Sequence, residues 1–78
     1  MKYKIEKNGT AVTITDVTSG IGLCFTEGKS LQRYTASIYV PDTSIMQTEE
    51  GVRIVGEISQ ELEAYAAEKF PEEFAEIN

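Results

Sequence analysis

Residues 3–14 read Tyr3-Lys4-Ile5-Glu6-Lys7-Asn8-Gly9-Thr10-Ala11-Val12-Thr13-Ile14, and this stretch decides the fold. Apolar and polar residues alternate on both sides of Asn8-Gly9, the period of a strand with one buried face. Asn-Gly suits a two-residue hairpin turn, because both residues tolerate positive φ. With Asn8 and Gly9 as the loop, Lys7 stands opposite Thr10, Ile5 opposite Val12 and Tyr3 opposite Ile14. The four apolar side chains then share one face, so turn chemistry and alternation agree. Strands are expected over 2–7 and 10–16. Asn8-Gly9-Thr10 also matches a glycosylation sequon, but it reads better as this turn.

Thr18-Ser19-Gly20 is the next break. Ile21, Leu23 and Phe25 then alternate, and so do Tyr34, Ala36, Ile38 and Val40. Glu27-Gly28-Lys29-Ser30 suits the loop between them. Pro41-Asp42 ends the fourth strand, because proline cannot continue a central ladder. The simplest arrangement is an antiparallel four-stranded meander. Thr13, Thr15, Thr35, Ser37 and Tyr39 should line its polar face, with Cys24 opposite Ile21, Leu23 and Phe25.

From Thr48 the period becomes helical. Thr48 suits an N-cap, and Glu49 and Glu50 fall in the first turn, where carboxylates favour the helix dipole. Val55, Ile58, Leu62, Tyr65 and Ala66 share one helical face. Phe70-Pro71 should end the helix, since the residue before proline avoids the α region. Pro71 suits the start of a short final helical turn carrying Phe74 and Ile77. Gly51-Val52-Arg53-Ile54-Val55-Gly56 has two readings. It is the start of this helix, or it is a fifth strand rich in β-branched residues, with the helix beginning near Glu57. The expected fold class is therefore α+β. A four-stranded meander, five-stranded under the second reading, is packed on one face by a C-terminal helix, with residues 1–78 forming one small domain.

Composition narrows the function classes. The chain has 78 residues, 13 acidic and 7 basic side chains, no histidine and one cysteine, with a net charge of −6. A large two-domain enzyme is excluded at this length. No apolar stretch approaches the roughly 20 residues that cross a bilayer. Met1–Glu6 has no apolar run, so no signal peptide is expected, and a lone cysteine points to a reducing, cytoplasmic setting. Residues 1–48 carry a net charge of +1 and residues 49–78 a net charge of −7. The acidic third would repel nucleic acid or an anionic membrane and attract a basic protein.

Catalytic and metal chemistry find little support. Gly28-Lys29-Ser30 ends like a phosphate-binding loop, but the glycine required five residues earlier is Leu23. Cys24 lacks the histidine that usually activates a thiol, and it reads as a small packing residue. Zinc would need several Cys or His ligands, Asp16 and Asp42 stand alone, and Glu72, Glu73 and Glu76 read as a solvated turn. No catalytic residue, cofactor or metal is expected, and the chain is not expected to be an enzyme.

The acidic stripe is the best candidate site. Glu50, Glu57, Glu61 and Glu68 fall within about 40° on the helical wheel and span about 27 Å, bordered by Ile54 and Tyr65. Such a row could dock a basic groove on a protein partner; the plainer alternative is a solvated face that confers solubility. Small acidic inhibitors encoded by phages and mobile elements, anti-CRISPR proteins among them, have this general profile. The likeness is one of composition and rests on no shared motif. Strand 33–40 is guarded only by Arg33, whereas the first strand carries Lys2, Lys4 and Lys7. A structural subunit that dimerises through strand 33–40 is thus the alternative function, and thiol chemistry at Cys24 ranks last.

Overall fold

The computed structural model describes residues 2–26 and 36–71. Four strands, β1 (Tyr3–Asn8), β2 (Ala11–Asp16), β3 (Gly22–Thr26) and β4 (Ala36–Tyr39), form one antiparallel sheet in sequence order. A 3-10 turn (Thr43–Gln47) then leads into the helix α1 (Glu49–Lys69). The α+β class, the meander and the C-terminal helix are as the sequence implies. The loop at 27–30, Arg33 to Thr35 of the fourth strand, and the turn carrying Phe74 and Ile77 lie outside the described residues.

The hairpin register differs from the expected one. The loop is Gly9-Thr10, and Asn8 pairs with Ala11 inside the ladder. Ile5 therefore faces Ile14 rather than Val12, Lys7 faces Val12, and Tyr3 faces Asp16 rather than Ile14. Within this loop only Gly9 takes a positive φ, at 65°, and among the described residues no non-glycine residue does. A glycine at the first loop position gives the primed turn that matches strand twist without forcing a side chain into the left-handed region. The shift preserves the parity of each strand, so the apolar faces remain those inferred from alternation.

The core lies between this face and the helix. Val12, Ile14, Ile21, Leu23 and Phe25 from β2, β3 and the turn before β3 pack with Val55, Leu62 and Ala66 of α1. Burying each of these side chains, Ala66 apart, contributes about 1.5–3 kcal/mol. The helix covers the two central strands; β1 is exposed beyond Tyr3, and Ile5 keeps 38% of its surface. Asp16 closes β2. Its Oδ2 accepts from the Ser19 amide at 3.1 Å and the Ser19 hydroxyl at 2.6 Å, while Gly20 turns at φ 81°. These bonds satisfy a carboxylate that is nearly buried in an otherwise apolar layer.

Residues 49–56 are helix, and the fifth strand does not form. The Thr48 hydroxyl accepts from the Gly51 amide at 3.0 Å, and Val52 N–H bonds the Thr48 carbonyl at 3.0 Å. The cap thus satisfies donors that an uncapped first turn leaves open. At the other end, Phe70 N–H bonds the Ala66 carbonyl at 2.7 Å. Its ring meets Phe25 edge-on, with centroids 5.1 Å apart. The 3-10 turn, absent from the sequence reading, packs on the first turns of α1 and covers Gly51. Asp42 caps it, accepting from the Ser44 amide at 3.1 Å and the Ser44 hydroxyl at 2.7 Å. These bonds, the hydroxyl first, hold the Asp42 carboxyl below its usual range.

Candidate functional site

The candidate residues lie on α1 because the helix buries its opposite, apolar stripe. Glu50, Glu57, Glu61 and Glu68 are all exposed, while Ile54 and Tyr65 are half-buried beside them. The helix therefore keeps the four carboxylates in line, as their spacing implies.

Their charge is less uniform than the spacing suggests. Arg53 bridges two of them: Nη2 lies 2.6 Å from Glu50 Oε2, and Nη1 lies 2.7 Å from Glu57 Oε2. All three side chains are more than half exposed, so these pairs contribute only a few tenths of a kcal/mol each. Their larger effect is on the field, because one guanidinium offsets part of the N-terminal half of the stripe. Arg53 follows Glu50 by three residues and precedes Glu57 by four, so this pairing was legible in the sequence.

The C-terminal half is tied to β1. The Tyr3 ring lies 4.5 Å from the Tyr65 ring at 42°, and the Tyr3 hydroxyl approaches Glu61 Oε1 at 3.4 Å. That separation is long for a phenol donating to a carboxylate, so ring packing dominates the contact. Lys69 Nζ stands 5.5 Å from the Tyr65 centroid on α1 itself. Nothing in the local sequence pairs Tyr3 with Glu61, because the sheet brings together residues 58 positions apart.

Burial against the helix raises the Tyr3 phenol above its ordinary range, and the Glu61 charge raises it further. A raised acid favours the neutral form in the folded state. Its stabilisation is present below about pH 10 and is lost as pH rises through the folded value. Urea midpoints measured from pH 8 to 11 should fall at the alkaline end, and Tyr3→Phe should flatten that fall. An identical alkaline slope in the variant would show that Tyr3 does not couple to folding.

Ile54 borders the stripe and also a cleft. With Ile21, Pro41, Ile45 and Ile58 it lines a cavity of about 270 Å³, whose polar lining residues are Ser19 and Asp42. Cys24 sits on the open face of the sheet, half-buried, with Sγ 3.5 Å from Thr13 Oγ1. Among the described residues the hollow beside it is lined by Ala11, Phe25, Thr26, Ala36 and Ser37, none of them a base. Thr13, Thr15, Ser37 and Tyr39 share that open face, as their alternation implies, while Thr35 lies outside the described residues. Among the described residues no three acidic, Cys or His side chains converge as a metal site requires. No helix among the described residues is long and apolar enough to cross a membrane. Gly28-Lys29-Ser30 and Glu72, Glu73 and Glu76 lie outside the described residues.

Comparison of the chain with family models, with curated proteins and with solved structures gives no match.

Proposed function

We propose that this chain is a non-enzymatic protein–protein interaction module whose acidic helix face occupies a basic surface of a partner protein. It acts in the cytoplasm, in the manner of small phage or mobile-element inhibitors such as anti-CRISPR proteins, and binds neither nucleic acid nor membrane directly. One observation carries the reading: Glu57, Glu61 and Glu68 stand exposed in line along α1, beside the half-buried Tyr65. A carboxylate row next to an aromatic edge offers a basic groove both charge and apolar contact. Glu50 and Ile54 extend the surface towards the N-terminus, with Arg53 reducing its charge there.

The alternative reading is a structural subunit that self-associates through strand 33–40, whose described part, Ala36–Tyr39, stands at the end of the sheet order.

Exchanging Glu57, Glu61 and Glu68 together for glutamine tests the reading, because size and helix propensity are nearly kept. Proteins captured from host extract by the wild-type chain at low salt should be lost from the triple variant. With a captured partner in hand, association should slow by about tenfold or more at low salt, and its salt dependence should flatten. The comparison needs more than one ionic strength, since the Debye length is about 10 Å at about 0.1 M. An unchanged association rate at low salt, for a folded triple variant, would leave the stripe as a solubilising face only.

A further inference from the structure

We propose that β1 is a self-pairing edge through which two copies of this chain join antiparallel, about a two-fold axis at Ile5, into one continuous sheet. Among the described residues β1 is the first strand of the sheet and has β2 on one side only. Its hydrogen-bonding phase can be read from its neighbours. Val17 N–H bonds the Lys2 carbonyl at 2.7 Å, whereas Asp16, opposite Tyr3, directs its N–H to the Ile21 carbonyl at 2.8 Å on the far side. Bonded pairs alternate along an antiparallel ladder. Lys4 and Glu6 therefore bond inward to β2, while Tyr3 and Ile5 direct their backbone groups outward.

A second β1 strand must meet these outward groups in phase, with odd-numbered residues opposite odd-numbered ones. The central registers that satisfy this have their axis at Lys4, Ile5 or Glu6. An axis at Lys4 sets the two Lys4 side chains against each other, and an axis at Glu6 does the same for the two Glu6 side chains. Only the axis at Ile5 places each Lys4 opposite a Glu6. Within one chain these side chains are already 3.9 Å apart, so pairing at Ile5 makes a square of alternating charge on the open face. On the helix side, the two Ile5 side chains meet at the axis. Ile5 is 38% exposed in the single chain and is not among the residues packed on the core. Lys4, one of the lysines that guard this edge against indiscriminate pairing, thus becomes with Glu6 a register-specific match to a second copy.

Analytical ultracentrifugation of the wild-type chain and charge variants tests this, with circular dichroism as the fold control. Lys4 and Glu6 are more than half exposed, so the fold should tolerate their exchange. The wild type should show a concentration-dependent monomer–dimer equilibrium. Lys4→Glu alone and Glu6→Lys alone should each weaken it by more than about tenfold. Mixing the two single variants should restore dimers as a heterodimer, and combining both changes in one chain should restore the homodimer. A wild-type chain that stays monomeric up to about 1 mM would overturn the proposal. So would a dimer that Lys4→Glu leaves unchanged, which would place the interface elsewhere, β4 included. Neither result bears on the acidic helix face, which is tested by Glu57, Glu61 and Glu68.

Discussion

Gly51→Ala should destabilise the fold by about 3 kcal/mol or more, although the same exchange stabilises an ordinary exposed helix. A Cβ at Gly51 would run into the Ile45 carbonyl oxygen and lie 2.7 Å from its carbonyl carbon. Both are backbone atoms, so no rotamer change relieves the clash. The 3-10 turn must lift off the helix, or the helix must lose its first turn together with the Thr48 cap. Overpacking of this kind typically costs about 1–3 kcal/mol, and a backbone obstacle places it at the upper end or beyond. A domain of this size holds only about 4–12 kcal/mol in total. The melting temperature should fall by about 12 °C or more, at about 4–8 °C per kcal/mol. Gly56 is the internal control. It is exposed, and a Cβ there meets nothing within 4 Å. Gly56→Ala should therefore stabilise by about 0.5–1 kcal/mol, through reduced freedom of the unfolded chain and better helix propensity. Thermal or urea denaturation of both variants reads the contrast. Equal stabilisation by the two would mean that the 3-10 turn does not rest on α1.

Leu62→Ala should cost about 2–5 kcal/mol, enough to unfold a large fraction of the chain at physiological temperature. Leu62 has no exposed surface and stands between Val55 and Ala66 on the buried stripe of α1, against β2 and β3. Removing its isobutyl group loses the transfer free energy and leaves a cavity that a sheet on one side and a helix on the other close only in part. Leu62→Met, which keeps volume, should cost less than about 1.5 kcal/mol. A denaturation midpoint for Leu62→Ala close to that of the wild type would show that this helix face is not the one against the sheet.

The acidic stripe shows how far spacing carries a site. Helical geometry puts Glu50, Glu57, Glu61 and Glu68 in one row as soon as 49–69 is helix, and the exposed carboxylates follow from that alone. Arg53 was readable from the same wheel, as the partner of Glu50 and Glu57. The stacking of Tyr3 on Tyr65 was not readable, because it depends on where the helix axis crosses the sheet. Nor was the place of Ile54 in the lining of the cleft beside Pro41 and Ile45.

Local chemistry in the sequence determined the antiparallel meander, the buried faces of β2 and β3, the Thr48 cap and the stop at Phe70-Pro71. Each depends on residues a few positions apart, where sterics and hydrogen bonding act before the chain folds back on itself. Strand alternation also determined which face of the first hairpin is apolar, but not its register. Parity is conserved by a shift that keeps each side chain on its face, and the choice between Asn8-Gly9 and Gly9-Thr10 fell to one positive φ at Gly9. Tertiary structure alone decided that Gly51 and Gly56, interchangeable as helix glycines, have opposite roles. The difference lies in the Ile45 backbone, which a separate turn of chain lays against one glycine and not the other.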